Sequence, residues 1–552
     1  MRLTDTGDLW WKTAVVYCLD IETFMDFNDD GVGDFEGLAH RIDYLAELGV
    51  TCLWLMPFYP TPGRDDGYDI IDFYGVDPRL GHHGDLVEVL RTAKDRGMRV
   101  IADLVVNHTS DQHPWFKAAR SSKDNPYRDF YVWRDEIPPN APTNVFPDKE
   151  DGVWQLDEKT GQYYLHNFYR HQPDLNLANP KVRDEIAKVI GYWMELGFSG
   201  FRVDAVPFLK QDGDPGVDPH ELLRSLRKYL TRRAGDSVLL GEVNLPFEEQ
   251  YEYFGGEAAD ELTMQFDFVG MQKIYLSLAR QDARPLADSL RERPVLAQES
   301  QWANFVRNHD ELTLDKLSEA ERMEVFEAFA PDEGMRVFDR GIRRRLPTML
   351  AGDPRHVRMV YSLLFSLPGT PVIFYGEEIG MGENLEQAGR LAVRTPMQWN
   401  SAANGGFSRA RARRLVAPVT PDGFGPAHVN AADQRTDPDS LLSFFERLIR
   451  RYRASAEIGW GDLTIIDAGV DSVLVHAVQG AEGRMIAVHN FSSDPQEIEF
   501  ALPDGMGPSS ELVELLRDGG VVADEKGRVS LALEAFDHRW LRVHATDDKR
   551  LS

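Results

Sequence analysis

Three short segments of this chain end in acidic residues, two of them set beside a cation or an imidazole. Phe201-Arg-Val-Asp204 puts Arg202 and Asp204 two positions apart, so in a strand both side chains leave the same face. Leu239-Leu-Gly-Glu242 closes a second apolar run with a carboxylate, and Val306-Arg-Asn-His-Asp310 closes a third with His309 and Asp310. Retaining cleavage of a glycosidic bond can use such a set. One carboxylate attacks the anomeric carbon, one protonates the leaving oxygen, and a third steadies the oxocarbenium-like transition state. Arg202 is expected to keep Asp204 ionised at neutral pH, as a nucleophile must be. A single strand-end Asp is more often a cap or an ion-pair partner. Three together, two with an Arg or His neighbour, favour catalysis.

Two further clusters lie upstream. Arg64-Asp-Asp-Gly-Tyr-Asp69 and Asp103…Asn107-His108 follow apolar runs, although Asp65-Asp66-Gly67 alone reads as an ordinary turn. Asp26-Phe-Asn-Asp-Asp-Gly-Val-Gly-Asp34 spaces side-chain oxygens at Asp26, Asn28, Asp30 and Asp34, with the Val32 carbonyl between them. Alternate hard oxygens with a Gly after the third suit Ca²⁺, with Mg²⁺ second and a solvated turn as the bland alternative.

These residues need a frame. From Trp10 to about Met381, apolar runs such as Val50–Met56, Arg99–Val106, Phe198–Val203, Ser237–Gly241 and Pro371–Tyr375 alternate with amphipathic segments such as Leu86–Arg96 and Val182–Leu196. Strands apolar on both faces and separated by helices predict a parallel sheet. Spread over so long a stretch, they predict an α/β fold, a (β/α)8 TIM barrel with its site at the C-terminal strand ends. The alternation lapses over an aromatic, Pro-rich stretch, read as an inserted subdomain after strand 3. The last part, with short alternating runs such as Asp471–Ala477 and Met485–His489, reads as a C-terminal antiparallel β-sandwich. The expected division is a barrel over 1–106 and 181–455, an insertion over 107–180 and a sandwich over 456–552.

Composition narrows the function classes. Of 552 residues, 61 are Lys or Arg and 90 are Asp or Glu, a formal charge of −29, which argues against nucleic acid and anionic membranes as partners. Cys18 and Cys52 are the only cysteines and both sit in apolar runs, which excludes a disulfide framework. Neither a signal-peptide layout nor a long apolar run is present, so the expected location is cytoplasmic. The oligomeric state stays open, a homodimer included.

Taken in order, Asp103-Leu-Val-Val-Asn-His108, Gly200-Phe-Arg-Val-Asp204, Gly241-Glu242 and Asn308-His-Asp310 resemble the four signature regions of the α-amylase superfamily, glycoside hydrolase family 13. The resemblance covers essentially the whole chain. It implies Asp204 as nucleophile, Glu242 as general acid/base and Asp310 as transition-state stabiliser. It also implies Tyr68, His108, Arg202 and His309 as residues lining the sugar site. Asp65 and Arg394, the latter in Arg394-Thr-Pro-Met-Gln-Trp399, resemble a pair that closes the non-reducing end of the pocket in exo-acting relatives.

Within the superfamily, segments such as Trp54-Leu-Met-Pro-Phe-Tyr-Pro60 and His171-Gln-Pro-Asp-Leu-Asn176 resemble the trehalose synthases, which interconvert maltose and trehalose. Ala205 implies α-1,4 and α-1,1 linkages. The chain departs from those enzymes at Val243-Asn-Leu-Pro246, where they read Ala-Asn-Gln-Trp, and at Leu165-His-Asn-Phe168, where they read Trp-His-Arg-Phe. Both positions are expected to border the leaving sugar, so more water is expected to reach the intermediate. A second cation site implied at Asn107 and Asp174 lacks its Glu, the chain reading Phe208-Leu-Lys-Gln211 there. The readings are a glucosyl-transferring isomerase with side hydrolysis, an α-glucosidase or trehalase-type hydrolase, and a non-catalytic sugar-binding relative. Three buried carboxylates, costly to desolvate, argue against the last.

Overall fold

The computed structural model describes residues 9–211, 216–481, 483–503, 506 and 510–544. Eight parallel strands close a barrel: β1 Val16–Leu19, β2 Cys52–Leu55, β3 Arg99–Leu104, β4 Gly200–Val203, β5 Val238–Gly241, β6 Met264–Phe266, β7 Gln301–Asn304 and β8 Thr370–Phe374. Each strand lies between its sequence neighbours, and β8 returns to β1. Val16 is in register with Val372 on one side and Cys52 on the other. Apart from Arg99 at the start of β3, every residue of the eight strands is buried, which is why their sequences are near-continuously apolar. Cys18 and Cys52 are free and buried in β1 and β2. No helix of the described residues is long and apolar enough to cross a membrane.

The helices around the barrel carry local stop and start signals. Helix Phe35–Leu48 opens at Asp34, whose carboxylate accepts the Gly37 N–H at 2.7 Å, and ends at Gly49 with φ 98°. Helix Pro180–Leu196 is capped by Asn179 with a proline at its first position.

Two excursions stand on the C-terminal rim. Between β3 and β4, Trp133–Arg134, Gln162–Leu165 and Trp154–Asp157 form a three-stranded antiparallel sheet. After β7, Leu312–Thr313, Gly341–Ile342 and Arg336–Val337 form another, which the sequence did not announce because two-residue strands carry no periodicity. Arg340 ties the two together. It donates to Val145 O at 2.9 Å and to Glu311 Oε1 at 3.3 Å.

The C-terminal part is a sandwich. A six-stranded antiparallel sheet faces the two-stranded sheet of Gln496–Ala501 and Arg528–Leu533 across a core that includes Val475, Ile486, Phe500 and Leu531. Its other face sits on helix Pro354–Ser366, where Trp540 Nε1 donates to Ser362 Oγ at 3.0 Å.

Candidate active site

The candidate acids stand where the barrel ends. Asp204 and Glu242 directly follow β4 and β5, and their backbone N–H groups donate to Leu104 O at 3.2 Å and Val203 O at 3.0 Å. Arg202, inside β4 and almost fully buried, binds both. Its Nη1 donates to Asp204 Oδ1 at 2.6 Å and to Asp103 Oδ1, and its Nη2 donates to Glu242 Oε2 at 2.7 Å. One guanidinium gripping both carboxylates keeps them at close range. Two carboxylates held on one cation are a set that acid and nucleophile roles in glycosidic cleavage can use. Ala205, at φ 50°, turns the chain so that its N–H donates to Glu242 Oε2 at 3.1 Å.

Burial pushes Asp204 up to about 7, and Arg202 pulls it down only partway. Glu242 is pushed up to about 7 for the same reason, with Asp204 and Asp310 adding repulsion. The expectation that Arg202 alone keeps Asp204 ionised therefore needs correcting. The same guanidinium also serves Asp103 and Glu242, so the free pair holds about one shared proton near neutrality. Asp103, whose Oδ2 accepts Trp54 Nε1–H at 2.8 Å, is raised to about 6 by burial against Arg202.

Asp310 behaves in the opposite way. Burial would raise it, but His309, Arg390 and Arg394 hold it well below the usual carboxylate range. Its Oδ1 accepts from Arg390 Nη1 at 2.6 Å and Arg394 Nη2 at 3.1 Å, and its Oδ2 lies 3.2 Å from His309 Nε2. Burial pushes the His309 imidazole well below its usual range against the pull of Asp310. Tyr68 stacks on His309 with ring centroids 5.7 Å apart, and its Oη lies 2.7 Å from His309 Nε2. His108 Nε2 lies 3.2 Å from Tyr68 O. Six of the expected residues, from Tyr68 to Asp310, thus form one cluster with Arg202.

The expected Asp65–Arg394 pair does not form. Arg394 bonds Asp66 and His309 O, while Asp65 accepts from Arg390 Nη2 at 2.8 Å and Gln172 Nε2 at 2.8 Å. Asp66 has φ 50°, so two consecutive carboxylates diverge onto two arginines. Asp66, Arg390 and Gln172 were missed. The one sequence signal was a second arginine four residues before Arg394.

Arg390 divides two chambers. One, of about 390 Å³, is lined by Glu242, Asp310, Asn244, Leu245, Phe168 and Arg390. The other, of about 600 Å³, lies beyond Arg390 and is lined by Asp65, Asp66, Arg79 and Arg394 among others. Leu245 borders the first chamber as expected, but Asn167 and Pro246 do not. Asn167 turns to Asp174, donating from its backbone N at 3.1 Å and from Nδ2 at 2.5 Å, and Pro246 caps helix Phe247–Tyr253.

In the Asp26–Asp34 loop the oxygens bind backbone N–H groups. Asp26 accepts from Asp29 and Gly31 at 2.8 Å each, Asn28 from Asp30 at 2.9 Å, Asp30 from Val32 at 2.9 Å, and Asp34 from Phe27 at 3.1 Å. Among the described residues no three His, Cys, Asp or Glu side chains converge as a metal site. The donor set, all oxygen, matches the chemistry of Ca²⁺. At Asn107 and Asp174, amide protons of Asn107 and Asn167 point at the carboxylate, which burial raises to about 8.

The family model of the α-amylase catalytic domain matches residues 21–328 and 339–461, and that of a sucrose hydrolase-like C-terminal domain matches 483–542. The trehalose synthase of Pimelobacter sp. strain R48 is 39% identical over 558 residues, covering 98% of this chain and 96% of its own. The trehalose synthase of Thermus thermophilus is 43% identical over 503 residues, covering 90% of this chain and 52% of its own. The crystal structure of the trehalulose synthase from Pseudomonas mesoacidophila MX-45 superposes with a TM-score of 0.78 at 28% identity, covering 98% of this chain and 100% of its own.

Proposed function

The chain belongs to the α-amylase family, glycoside hydrolase family 13, and we propose that it is a retaining glucosyl-transferring isomerase that interconverts maltose and trehalose, with hydrolysis as a side reaction. The observation that carries this reading is the Arg202 fork holding Asp204 and Glu242 together behind a pocket closed by the Asp65–Arg390 and Asp66–Arg394 pairs. Two ion pairs at the rear leave room for one terminal glucosyl unit.

In the reaction, Asp204 attacks the anomeric carbon while Glu242 gives its proton to the departing oxygen, and a glucosyl ester forms on Asp204. The shared proton belongs on Glu242 at this moment, since its carboxyl faces the open chamber and Asp204 lies deeper. Asp310, kept ionised by Arg390 and Arg394, stabilises the oxocarbenium-like charge. The released glucose stays in the chamber against Phe168 and Leu245, turns, and attacks the ester through its anomeric hydroxyl, with Glu242 now acting as base. A well-held acceptor gains an effective molarity on the order of 10⁵ M or more, which is what lets it outcompete bulk water.

A hydrolytic share follows from one position. Leu245 presents an aliphatic wall where trehalose synthases carry Gln in the motif given above, so the waiting sugar is held with fewer polar contacts. Incubation with maltose, then separately with trehalose, tests the reading. Trehalose from maltose supports it, and glucose alone from both assigns a hydrolase.

The Asp26–Asp34 loop takes one Ca²⁺ in this reading, its side-chain oxygens leaving their backbone partners to join the Val32 carbonyl on the ion. The ion stabilises the loop after β1 and supplies no chemistry. Chelation is therefore expected to lower the melting temperature and leave kcat of the folded enzyme unchanged. An unchanged melting temperature would remove the ion from the account. A cytoplasmic location accords with two free, buried cysteines.

A further inference from the structure

A second cavity, of about 640 Å³, opens at the opposite end of the barrel from the acids. It lies between the segment entering β7 and the segment leading into the sandwich, with Lys12, Arg291, Arg293, Ser300, Trp460 and Asp462 in its wall. Lys12 precedes β1 and Ser300 precedes β7, so this is the N-terminal rim, remote from Asp204 and Glu242.

Lys12 is the unusual member. Its residue is only 8% exposed, yet no carboxylate of the described residues pairs with it. Its Nζ donates to Ser300 O at 3.2 Å and lies 5.4 Å from the centre of the Trp460 ring. Buried lysines are nearly always paired, because an unpaired buried charge keeps a large desolvation cost. Burial lowers this ammonium to about 8 against the pull of Glu299, so it stays mostly charged near neutrality. Arg291 and Arg293 add two cations to the same wall. Arg291 pairs with Asp288 at 2.7 Å and is otherwise exposed, whereas Arg293 is held by Asp267 at 3.2 Å, Asn304 Oδ1 at 3.3 Å and Pro368 O at 2.7 Å. Asp462 is the one carboxylate lining the cavity. With Arg291 and Arg293 each facing a carboxylate, Lys12 is the cation of this wall that lacks one in contact among the described residues.

Donors without acceptors fit a ligand made of acceptors. Lys12 has N–H bonds to spare, and lysine and arginine are the usual partners of phosphoryl oxygens. The volume exceeds what a bare oxyanion needs, and the half-buried Trp460 indole offers a flat apolar surface of the kind a sugar ring packs on. We propose that this cavity binds a sugar monophosphate, its phosphoryl group on Lys12 with Arg291 and its ring beside Trp460. The site is independent of the isomerase reading, since it shares no residue with the catalytic cluster.

Isothermal titration of the full chain tests it, with glucose 6-phosphate, inorganic phosphate and glucose as probes. The chamber beyond Arg390 is also lined by arginines, so the loss of binding in the variants below is what assigns the phosphates to the rear cavity. Glucose 6-phosphate is expected to bind one site, at least tenfold tighter than inorganic phosphate. Lys12→Met is expected to weaken it at least tenfold, and Trp460→Ala severalfold, with maltose turnover unchanged in both. Arg291→Ala, at an exposed position, gives the same readout if Lys12→Met fails to fold. No binding at millimolar concentration, or binding unaffected by Lys12→Met and Arg291→Ala, would overturn the site. Equal affinity for inorganic phosphate, with no loss in Trp460→Ala, would overturn the sugar part of the assignment.

Discussion

Asp204→Asn abolishes turnover in this account, and it is also expected to make the protein more stable above neutral pH. In the folded state burial keeps a proton on Asp204 up to about pH 7, whereas an unfolded aspartate loses it near 3.9. Between those values the folded state binds more protons than the unfolded one, so the group's contribution falls steadily as pH rises from 4 to 7 and is flat above. The full difference is a ceiling of about 4 kcal/mol. Sharing of the proton with Glu242 and relaxation of the pocket reduce the expected gain from the asparagine to about 1–3 kcal/mol. The amide oxygen still accepts from Arg202 Nη1, so the fork loses a charge and keeps its hydrogen bond. With a melting temperature that moves by roughly 2–4 °C per kcal/mol in domains of 150–250 residues, and less in a longer chain, the rise is a few degrees. Thermal melts of both proteins at pH 4.5 and pH 8 measure it. A gain at pH 8 that shrinks at pH 4.5 supports the reasoning. No gain at pH 8, or the same gain at both, refutes it.

Glu242→Gln is expected to lower kcat on maltose by three orders of magnitude or more, and far less on an aryl α-glucoside whose leaving group needs no proton; equal losses on both would deny it the acid role. Arg390→Ala breaks the bridge from Asp65 to Asp310 and joins the two chambers. The ratio of free glucose to disaccharide product is expected to rise severalfold, and an unchanged ratio would show that Arg390 is not the wall. Gly49→Ala puts a Cβ at φ 98° and 2.7 Å from Ile449 Cγ2, so a loss of about 1–3 kcal/mol is expected in denaturant melts; a neutral result would mean the contact between helices Phe35–Leu48 and Leu441–Arg453 yields easily.

The barrel was legible because parallel strands buried on both faces are apolar throughout, and its acids were legible because each follows such a run by a few residues. Arg202 and Asp204 needed only the two-residue period of a strand. The rear of the pocket was not legible. Arg390 meets Asp65 across 325 positions and Arg394 meets Asp66 across 328, and nothing local says which of two adjacent aspartates faces which arginine. That choice is made by the left-handed turn at Asp66. The protonation of Asp204 was misjudged for a related reason. Its arginine neighbour is visible in the sequence, but Asp103 and Glu242, which draw on the same guanidinium, arrive from other strands. The sheet after β7 was invisible because its strands are two residues long. Asn167 was expected at the leaving sugar, yet its amide finds Asp174, seven residues on, a contact settled by the folding of the insertion.

The central claim is that the glucose released from maltose is recaptured by the glucosyl ester on Asp204 before it leaves. Adding ¹³C-labelled glucose to unlabelled maltose and following early products by mass spectrometry tests it directly. The account predicts trehalose that is mostly unlabelled at early times, accompanied by some free glucose. Trehalose labelled in proportion to the added glucose, or glucose with no trehalose at all, would contradict it.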